Sequence, residues 1–369
     1  MKPIDLLIPE LFASDGGIQR YSLTLIKALR FVRPDTPLRV FIQNDYPHHM
    51  PVCGWSGVSW YPARGSRQRL LRSLSLKAFS QRPHLLLSTH PNYAPIQWLH
   101  QILTGCPSWC SAHGIEVWQM QHGPKRCALA HLQRLLPVSR FTADKLKLQL
   151  GDDCPPLGLL FNTFDQDRFF PAPAPIKLLQ RYNLRFDQPV IFTLSRLSEY
   201  DSYKNIDKLI EALPALLAEF TDLKLIIAGA GNDQRRLQNL ADQLCLRSHV
   251  IFVGRIAESE LSDHHRLASV FALPSTGEGF GIVFLEALAC GKPVLAGNCD
   301  GSVDPLADGR FGLLVDPLLP LAPPLASLLR KQGQPLWFHP EALSLAVNET
   351  FGFEAFCDCL DVHLRVLEH

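Results

Sequence analysis

The chain has 369 residues, of which 47% are hydrophobic and 19% are charged, and its net charge is +1. This composition is typical of a folded globular protein and excludes an intrinsically disordered one. A single hydrophobic core usually stops growing at ~250–300 residues, so the length favours two domains with a cleft between them. No apolar stretch reaches the ~18 residues of a membrane span, and Asp5 and Glu10 interrupt the N-terminus where a signal peptide would be apolar. We therefore expect a cytoplasmic protein.

Apolar runs alternate with helical patterns along the first half of the chain. The runs "IDLLIP", "LRVFIQ", "HLLLSTH" and "SWCSAHG" are typical of buried strands, and "IQRYSLTLIKALRFV" between the first two is typical of an amphipathic helix. This alternation predicts βαβ units and a parallel sheet. A Pro-rich passage follows, so we predict a Rossmann-like domain over residues 1–165 and a linker over residues 166–180.

The second half repeats the same pattern. The runs "PVIFTLSR", "LKLIIAGAG", "HVIFVGR", "SVFALP" and "KPVLAG" indicate strands, and "KNIDKLIEALPALLAEF" and "QRRLQNLADQLC" indicate helices. We predict a second Rossmann-like domain over residues 181–349. The predicted fold class is therefore α/β, with two successive doubly wound domains and a site between them.

The segment "GEGFGIVFLEALACGKP", residues 277–293, is predicted to be a loop and a helix that follow the strand "SVFALP". Gly279 and Gly281 let the backbone come close to a ligand, and the N-terminal end of the helix favours a phosphate. Glu278 is on the loop, whereas Glu286 is the only charged residue of the apolar helix. A carboxylate there is costly to bury without partners, and the two vicinal hydroxyls of a ribose would satisfy it.

Two other interpretations of this segment are open on these residues alone. Glu286 can lie at the helix edge and reach solvent, as most helical glutamates do. Alternatively, the loop can bind a dinucleotide, with Asp300 at the end of the next strand as the acid that holds the ribose. The glycines are spaced GxGxG and not GxGxxG, and Glu278 would repel a pyrophosphate, which weakens the dinucleotide interpretation.

These motifs resemble those of the family 4 (group 1) retaining glycosyltransferases of the GT-B architecture. "PSTGEGFGIVFLEALACGKPVLA" resembles the E-x7-E signature of that family, and "LSRLSEYDSYKNIDKLIEAL" resembles the segment with a basic pair for the donor diphosphate. "DGGIQRY" resembles its phosphate-facing glycine loop and "AHGIEVW" its strand-end histidine motif. The resemblance covers most of residues 1–320. It implies two Rossmann-like domains facing a central cleft, with a last helix, about residues 350–369, that crosses back to the first domain.

The resemblance also assigns roles to residues of the second half. Glu286 would hold the ribose hydroxyls, and Glu278 would contact the hydroxyls of the donor sugar. Arg196 and Lys204 would neutralise the diphosphate as negative charge develops on it. Backbone groups of the loop would lie close to the sugar and phosphate, at Gly279, Phe280 and Gly281.

Three residues of the first half complete the assignment. Gly16 and Gly17 would bring the backbone of the first domain to the donor phosphates, and His113 would face the transferred sugar near its anomeric carbon. By itself, a histidine at a strand end is more often a buried structural residue. The predicted catalytic residues are therefore His113, Glu278, Arg196 and Lys204.

The activity that the resemblance implies is transfer of a hexose, with retention, from a UDP- or GDP-sugar to a hydroxyl acceptor in polysaccharide or glycolipid synthesis. We expect no cofactor and no metal, since the metal-like triplet "DQD" at residues 165–167 lies where the first domain meets the linker and GT-B enzymes of this kind need no metal in the site. The alternatives are a dinucleotide-dependent oxidoreductase and a catalytically silent GT-B protein that binds a sugar or a partner. The complete set of Glu278, Glu286, Arg196 and Lys204 argues against a silent protein.

A basic segment lies in the first half, where residues 46–115 contain no Asp or Glu. Six basic residues alternate there with leucines and a phenylalanine: Arg64, Arg67, Arg69, Arg72, Lys77 and Arg82. Such a segment is typical of a surface that binds an anionic bilayer, although a solvated basic face or a wall for an anionic acceptor has the same composition. We expect peripheral binding to the cytoplasmic leaflet, a lipid-linked or saccharide acceptor, and no nucleic acid partner.

Overall fold

The computed structural model describes residues 2–13, 16–51 and 55–367. The chain divides into two compact units. The first unit contains the residues up to Thr163 together with those from Glu354 onward, and the second unit contains Phe164–Phe353. Each unit is built on one six-stranded sheet.

The sheet of the first unit consists of short parallel strands: β1 Ile4–Ile8, β2 Leu38–Ile42, β3 Val58–Pro62, β4 Leu85–Ser88, β5 Ser108–Ala112 and β6 Arg134–Pro137. Every residue of β1, β2, β4 and β5 is buried, as expected when helices cover a parallel sheet. The strand order is β3-β2-β1-β4-β5-β6. The chain therefore moves outward from β1 in one direction and then starts again beside it with β4, which makes the β1–β4 boundary a topological switch point.

Helices connect these strands: α1 Gly17–Val32, α2 Arg67–Ser80, α3 Ala94–Thr104, α4 Ile115–Trp118, α5 Pro124–Ala130 and α6 Arg140–Leu150. The longest of them, α1, has its buried side chains on one face, among them Tyr21, Leu25 and Leu29. A helical spacing of four residues places these side chains together against the sheet.

The sheet of the second unit has the same design: β7 Val190–Leu194, β8 Lys224–Ala228, β9 Val250–Gly254, β10 Val270–Leu273, β11 Val294–Gly297 and β12 Leu313–Val315. All its pairs are parallel, and the order is β9-β8-β7-β10-β11-β12. The switch point of this sheet lies between β7 and β10.

The helices of the second unit are α7 Ile176–Arg181, α8 Ile206–Leu217, α9 Gln234–Gln243, α10 Leu261–Leu267, α11 Ile282–Ala289, α12 Ala322–Leu329 and α13 Pro340–Phe351. The last helix, α14 Phe353–Arg365, belongs to the first unit from Glu354 onward. There His363 Nε2 lies 2.8 Å from the carbonyl oxygen of Leu159, and Asp361 pairs with Arg33.

The predicted fold class is confirmed, because two parallel doubly wound sheets appear and all the predicted strands are present. Three edge strands, β3, β6 and β12, were not predicted. β6 and β12 have only four and three residues, and β3 and β12 are not fully buried, so none of the three shows the long continuous apolar run that identifies an interior strand.

Candidate active site

The candidate site is built at the switch point of the second sheet. Phe192 of β7 is paired with Phe271 of β10, so the two strands end at the same edge of the sheet. The connection after β7 carries Arg196 and Lys204, and the connection after β10 carries Glu278. The predicted donor-binding side chains therefore lie on both sides of the point at which open α/β sheets bind their ligands.

Lys204 and Glu278 contact one another across this switch point. Lys204 Nζ donates a hydrogen bond to Glu278 Oε1, and the two side chains are 14% and 12% exposed. The Tyr203 ring lies beside the ammonium group, with Nζ 5.3 Å from the ring centroid. Because the pair is shielded from solvent, its attraction is screened less than that of a surface ion pair.

Arg196 lies on the same connection but is held differently. Its side chain is 74% exposed, and its Nη2 donates to Asp201 Oδ1 at 3.1 Å. The Tyr203 hydroxyl donates to the same oxygen at 3.1 Å, and burial raises the pKa of Tyr203, so this donor stays protonated. Asp201 thus orients both residues, a role that the sequence analysis did not predict.

The loop after β10 is fixed by Asp300. Its Oδ2 accepts the Glu278 N–H at 2.6 Å, and its Oδ1 accepts the Ser302 N–H at 2.8 Å. A side chain at Gly301 would meet the Gly279 carbonyl oxygen at 2.2 Å, so glycine is needed for the two segments to approach. Burial raises the pKa of Asp300. Each carboxylate oxygen of Asp300 thus accepts a backbone N–H, which fixes the conformation of this loop.

Helix α11 begins after Gly281, whose φ of +85° favours glycine, and it buries Glu286. The Glu286 side chain is 2% exposed, and its Oε2 lies 3.6 Å from Nε2 of His265 on α10. The interpretation in which Glu286 reaches solvent is therefore wrong. The two carboxylates of the E-x7-E signature have different partners: a lysine for Glu278 and a histidine for Glu286. The phenyl ring of Phe280 is buried.

The predicted residues of the first unit lie around the carboxyl end of its sheet and the start of α1. Gly16 precedes α1 and Gly17 is its first residue. His113 follows β5, and its Nε2 lies 3.0 Å from the Thr89 carbonyl oxygen. Its ring packs edge-to-face on Tyr21, with 4.6 Å between the ring centroids. Burial lowers the pKa of His113, although the nearby carboxylate of Glu116 opposes this effect, so the imidazole stays neutral near pH 7.

The triplet "DQD" forms a turn in which the Asp167 N–H donates to Asp165 Oδ1 at 3.2 Å. Within residues 2–13, 16–51 and 55–367, no group of three or more His, Cys, Asp or Glu side chains is arranged to hold a metal ion. The expectation that the reaction needs no metal stays a prediction.

Two parallel sheets with the same strand order, and a lysine that contacts a carboxylate at the switch point of the second, are features of the GT-B architecture of glycosyltransferases. Residues 177–322 match the model of the family described as glycosyl transferases group 1. The resemblance to the group 1 glycosyltransferases is therefore confirmed over these residues of the second unit.

Two relatives of known name are similar to part of this chain. A GDP-mannose-dependent alpha-(1-6)-phosphatidylinositol monomannoside mannosyltransferase of Mycolicibacterium smegmatis is 38% identical over 218 residues, which are 56% of this chain and 56% of that protein. A D-inositol 3-phosphate glycosyltransferase of Xylanimonas cellulosilytica is 32% identical over 243 residues, 63% of this chain and 56% of that protein. The chain thus spans about half the length of the curated relatives that it matches.

Solved structures share the fold over the whole chain. Anabaena Alr3699/HepE, in complex with UDP and glucose, has a TM-score of 0.77 at 20% identity and covers 99% of this chain and 100% of its own. Sucrose-phosphate synthase from Thermosynechococcus elongatus has a TM-score of 0.79 at 19% identity, with 99% of both chains covered. Identities this low establish the architecture alone.

Proposed function

We propose that the protein transfers a hexose from a nucleoside diphosphate sugar to a hydroxyl group of a glycolipid acceptor. The observation that carries this proposal is the contact between Lys204 and Glu278, with Arg196 on the same connection. One sugar nucleotide presents both matching groups, since its diphosphate attracts the cations and its sugar hydroxyls donate to the carboxylate. A dinucleotide would place a pyrophosphate against Glu278, which repels it.

GDP-mannose is the donor that we propose first. Three sequence relatives, at 33–41% identity, are described as GDP-mannose-dependent mannosyltransferases of phosphatidylinositol monomannosides. The structural neighbour that holds UDP is only 20% identical. The relatives with the higher sequence identity are the better guide to the nucleobase of the donor. They also support a phosphatidylinositol-type acceptor.

We propose a transfer that retains the configuration at the anomeric carbon. The bond between this carbon and the diphosphate oxygen breaks, its electron pair leaves with the diphosphate, and the acceptor oxygen attacks from the same face. The acceptor proton passes to the leaving phosphate oxygen. Arg196 and Lys204 stabilise the charge that grows on the diphosphate, Glu278 orients the sugar, and Glu286 holds the ribose. By the same proposal, the neutral imidazole of His113 contacts the sugar.

Nucleotide binding gives the first test of this proposal. GDP at 100 times its Kd should raise the free energy of unfolding by ~2.7 kcal/mol and the melting temperature by several degrees, because it binds only the folded chain. Differential scanning fluorimetry with GDP, UDP and guanosine measures the shift, and guanosine, which lacks phosphates, is the control. Release of GDP from GDP-mannose should then require acceptor lipid. A protein stabilised by none of the diphosphates would contradict the proposal.

The acceptor side of the proposal concerns helix α2, whose structure separates a core face from an outer face. Leu70, Leu74 and Ala78 are buried in the first unit. The outer face exposes Leu76 and Phe79, which are 59% and 81% exposed, together with Arg69 and Arg72. Arg67, in the first turn, is also exposed but lies at helical spacing from Leu70 and Leu74. The other basic residues of the segment are placed differently, since Lys77 lies over the Tyr61 ring and Arg82 donates to the Gly105 carbonyl.

The neighbouring helix α3 enlarges this surface. Leu99, Ile102 and Leu103 follow helical spacing and are 53%, 63% and 68% exposed. Arginines beside exposed large apolar side chains are typical of a surface that lies in the headgroup region of an anionic bilayer. No helix among the described residues has the length and hydropathy to cross a membrane. We propose that α2 and α3 hold the protein on the leaflet that contains its acceptor.

A variant with Arg67, Arg69 and Arg72 changed to Gln should bind anionic vesicles ~10-fold or more weakly than the parent at low salt. The reason is that each basic residue near such a surface contributes ~1 kcal/mol. Flotation with phosphatidylglycerol-containing and pure phosphatidylcholine vesicles, at low and high salt, measures the difference.

The matched control for this experiment changes Lys177, Arg235 and Lys331 of the second unit to Gln. It removes the same charge from exposed positions elsewhere in the chain. A second variant, Leu76→Ser with Phe79→Ser, removes the apolar contribution. Equal flotation of the parent and the arginine variant, or no preference of the parent for anionic lipid, would leave a soluble acceptor as the better hypothesis.

A further inference from the structure

A buried histidine and a buried glutamate face each other inside the second unit. His265 of α10 is 0% exposed and Glu286 of α11 is 2% exposed, with 3.6 Å between Nε2 and Oε2. This distance exceeds a normal hydrogen bond but is well within the range of attraction between a carboxylate and an imidazolium. No sequence motif connects these residues, which are twenty-one positions apart.

The surroundings of His265 fix the orientation of its ring. The phenyl rings of Phe169, Phe192 and Phe271 lie 5.9, 5.3 and 5.4 Å from it, measured between centroids. Aromatic walls on several sides leave the imidazole little freedom to turn, because protein interiors are close-packed. The ring edge that carries Nε2 faces the Glu286 carboxylate.

The proposed function needs Glu286 in one particular state. Only an ionised carboxylate accepts hydrogen bonds from both ribose hydroxyls with both of its oxygens. An ionised carboxylate in an apolar interior is costly unless a positive or hydrogen-bonding group compensates it. The imidazole of His265, 3.6 Å from Oε2, can supply such compensation.

We propose that His265 is a positioning residue for nucleotide binding, which acts through Glu286 by holding its carboxylate ionised and correctly turned for the ribose. This inference rests on the proposed function, in which Glu286 binds the ribose. Two residues on two helices, Glu286 and His265, then set the preference for a ribose, and His265 does so without contacting the nucleotide.

The adjacent histidine provides a matched control. His264 Nε2 lies 2.8 Å from the Tyr182 hydroxyl and its Nδ1 lies 2.7 Å from the Glu260 carbonyl oxygen. It is buried on the same helix, and its ring also lies near Phe192. Loss of His264 should therefore disturb packing to a similar extent without acting on Glu286.

The test compares nucleotides that differ only in the ribose. Calorimetry gives the Kd of GDP and of its 2′-deoxy and 3′-deoxy analogues, or of the uridine series if UDP binds more tightly. The parent should prefer GDP by ~10-fold or more over each analogue, since a hydrogen bond to a charged group is lost. His265→Phe should reduce this preference to near unity, His265→Asn should restore part of it through its amide, and His264→Phe should leave it unchanged.

A double-mutant cycle completes the experiment. His265→Phe should have little further effect on ribose preference once Glu286→Gln is present, because the two residues act on the same hydroxyls. If Glu286→Gln itself leaves the preference of the parent unchanged, or the parent has none, the proposed ribose role of Glu286 fails. If Glu286→Gln abolishes the preference but folded His265→Phe and His265→Asn retain it, only the inference about His265 is overturned.

Discussion

Replacing Lys204 with alanine should slow the sugar-transfer step ~10²-fold or more, while the affinity for the donor falls less. The negative charge on the diphosphate grows as the sugar leaves, so a cation in contact with it stabilises the transition state more than the bound donor. Lys204 is largely shielded from solvent, which strengthens this effect. Arg196→Ala should act in the same direction but less strongly, because the Arg196 side chain is 74% exposed. Single-turnover rates at saturating donor measure the step.

Lys208→Ala is the matched control for this experiment. Lys208 lies four residues further along the chain, on α8, and its Nζ donates to the Pro317 carbonyl oxygen. Its loss removes the same charge near the same helix but outside the proposed site. Because Lys204→Ala also leaves Glu278 without the lysine that it contacts, the melting temperature of each variant must be compared with that of the parent. A single-turnover rate of Lys204→Ala equal to that of the parent would refute the assignment.

Glu286→Gln should raise the Kd for the nucleoside diphosphate ~10- to 150-fold. In the proposed function the carboxylate accepts charge-assisted hydrogen bonds from the ribose, worth ~1.5–3 kcal/mol each at most, and the variant replaces it with a neutral amide. Glutamine has nearly the same shape, so we expect the fold to survive. Calorimetric titration measures the affinity, and Glu211→Gln, at an exposed position of α8, is the control. Unchanged affinity in a folded Glu286→Gln protein would show that the ribose is held elsewhere.

Most of the architecture could be predicted from the sequence because interior parallel strands are continuous apolar runs. Residues 4–8 and 270–273 are fully buried and read as strands without further information. The edge strand at residues 58–62 could not be recognised, since one side of it faces solvent and its side chains mix aromatic, polar and proline residues. A strand at the edge of a sheet is less buried than an interior strand, so its sequence need not be a continuous apolar run.

The candidate site was predictable at the level of residue type and position, but its internal contacts were not. The spacing of Glu278 and Glu286 and the basic residues after β7 were visible as motifs. The contacts of Asp300 with the Glu278 backbone and of Asp201 with Arg196 could not be predicted, because both depend on how loops fold over the sheet edge. Aspartates in loops are so common that their positions alone carry little information.

The contact between Lys204 and Glu278 has a consequence for selectivity. In the protein without substrate, each of these groups already compensates the charge of the other. A phosphate ion or a bare nucleoside diphosphate could bind Lys204 only by displacing Glu278. The Glu278 carboxylate, which is shielded from solvent, would then lack the positive charge beside it. A complete sugar nucleotide offers a replacement to both, with phosphate oxygens for the cation and hydroxyl groups for the carboxylate. The ion pair would therefore lower the affinity of the site for fragments of the sugar nucleotide. It would also favour release of the nucleoside diphosphate once the sugar has been transferred to the acceptor.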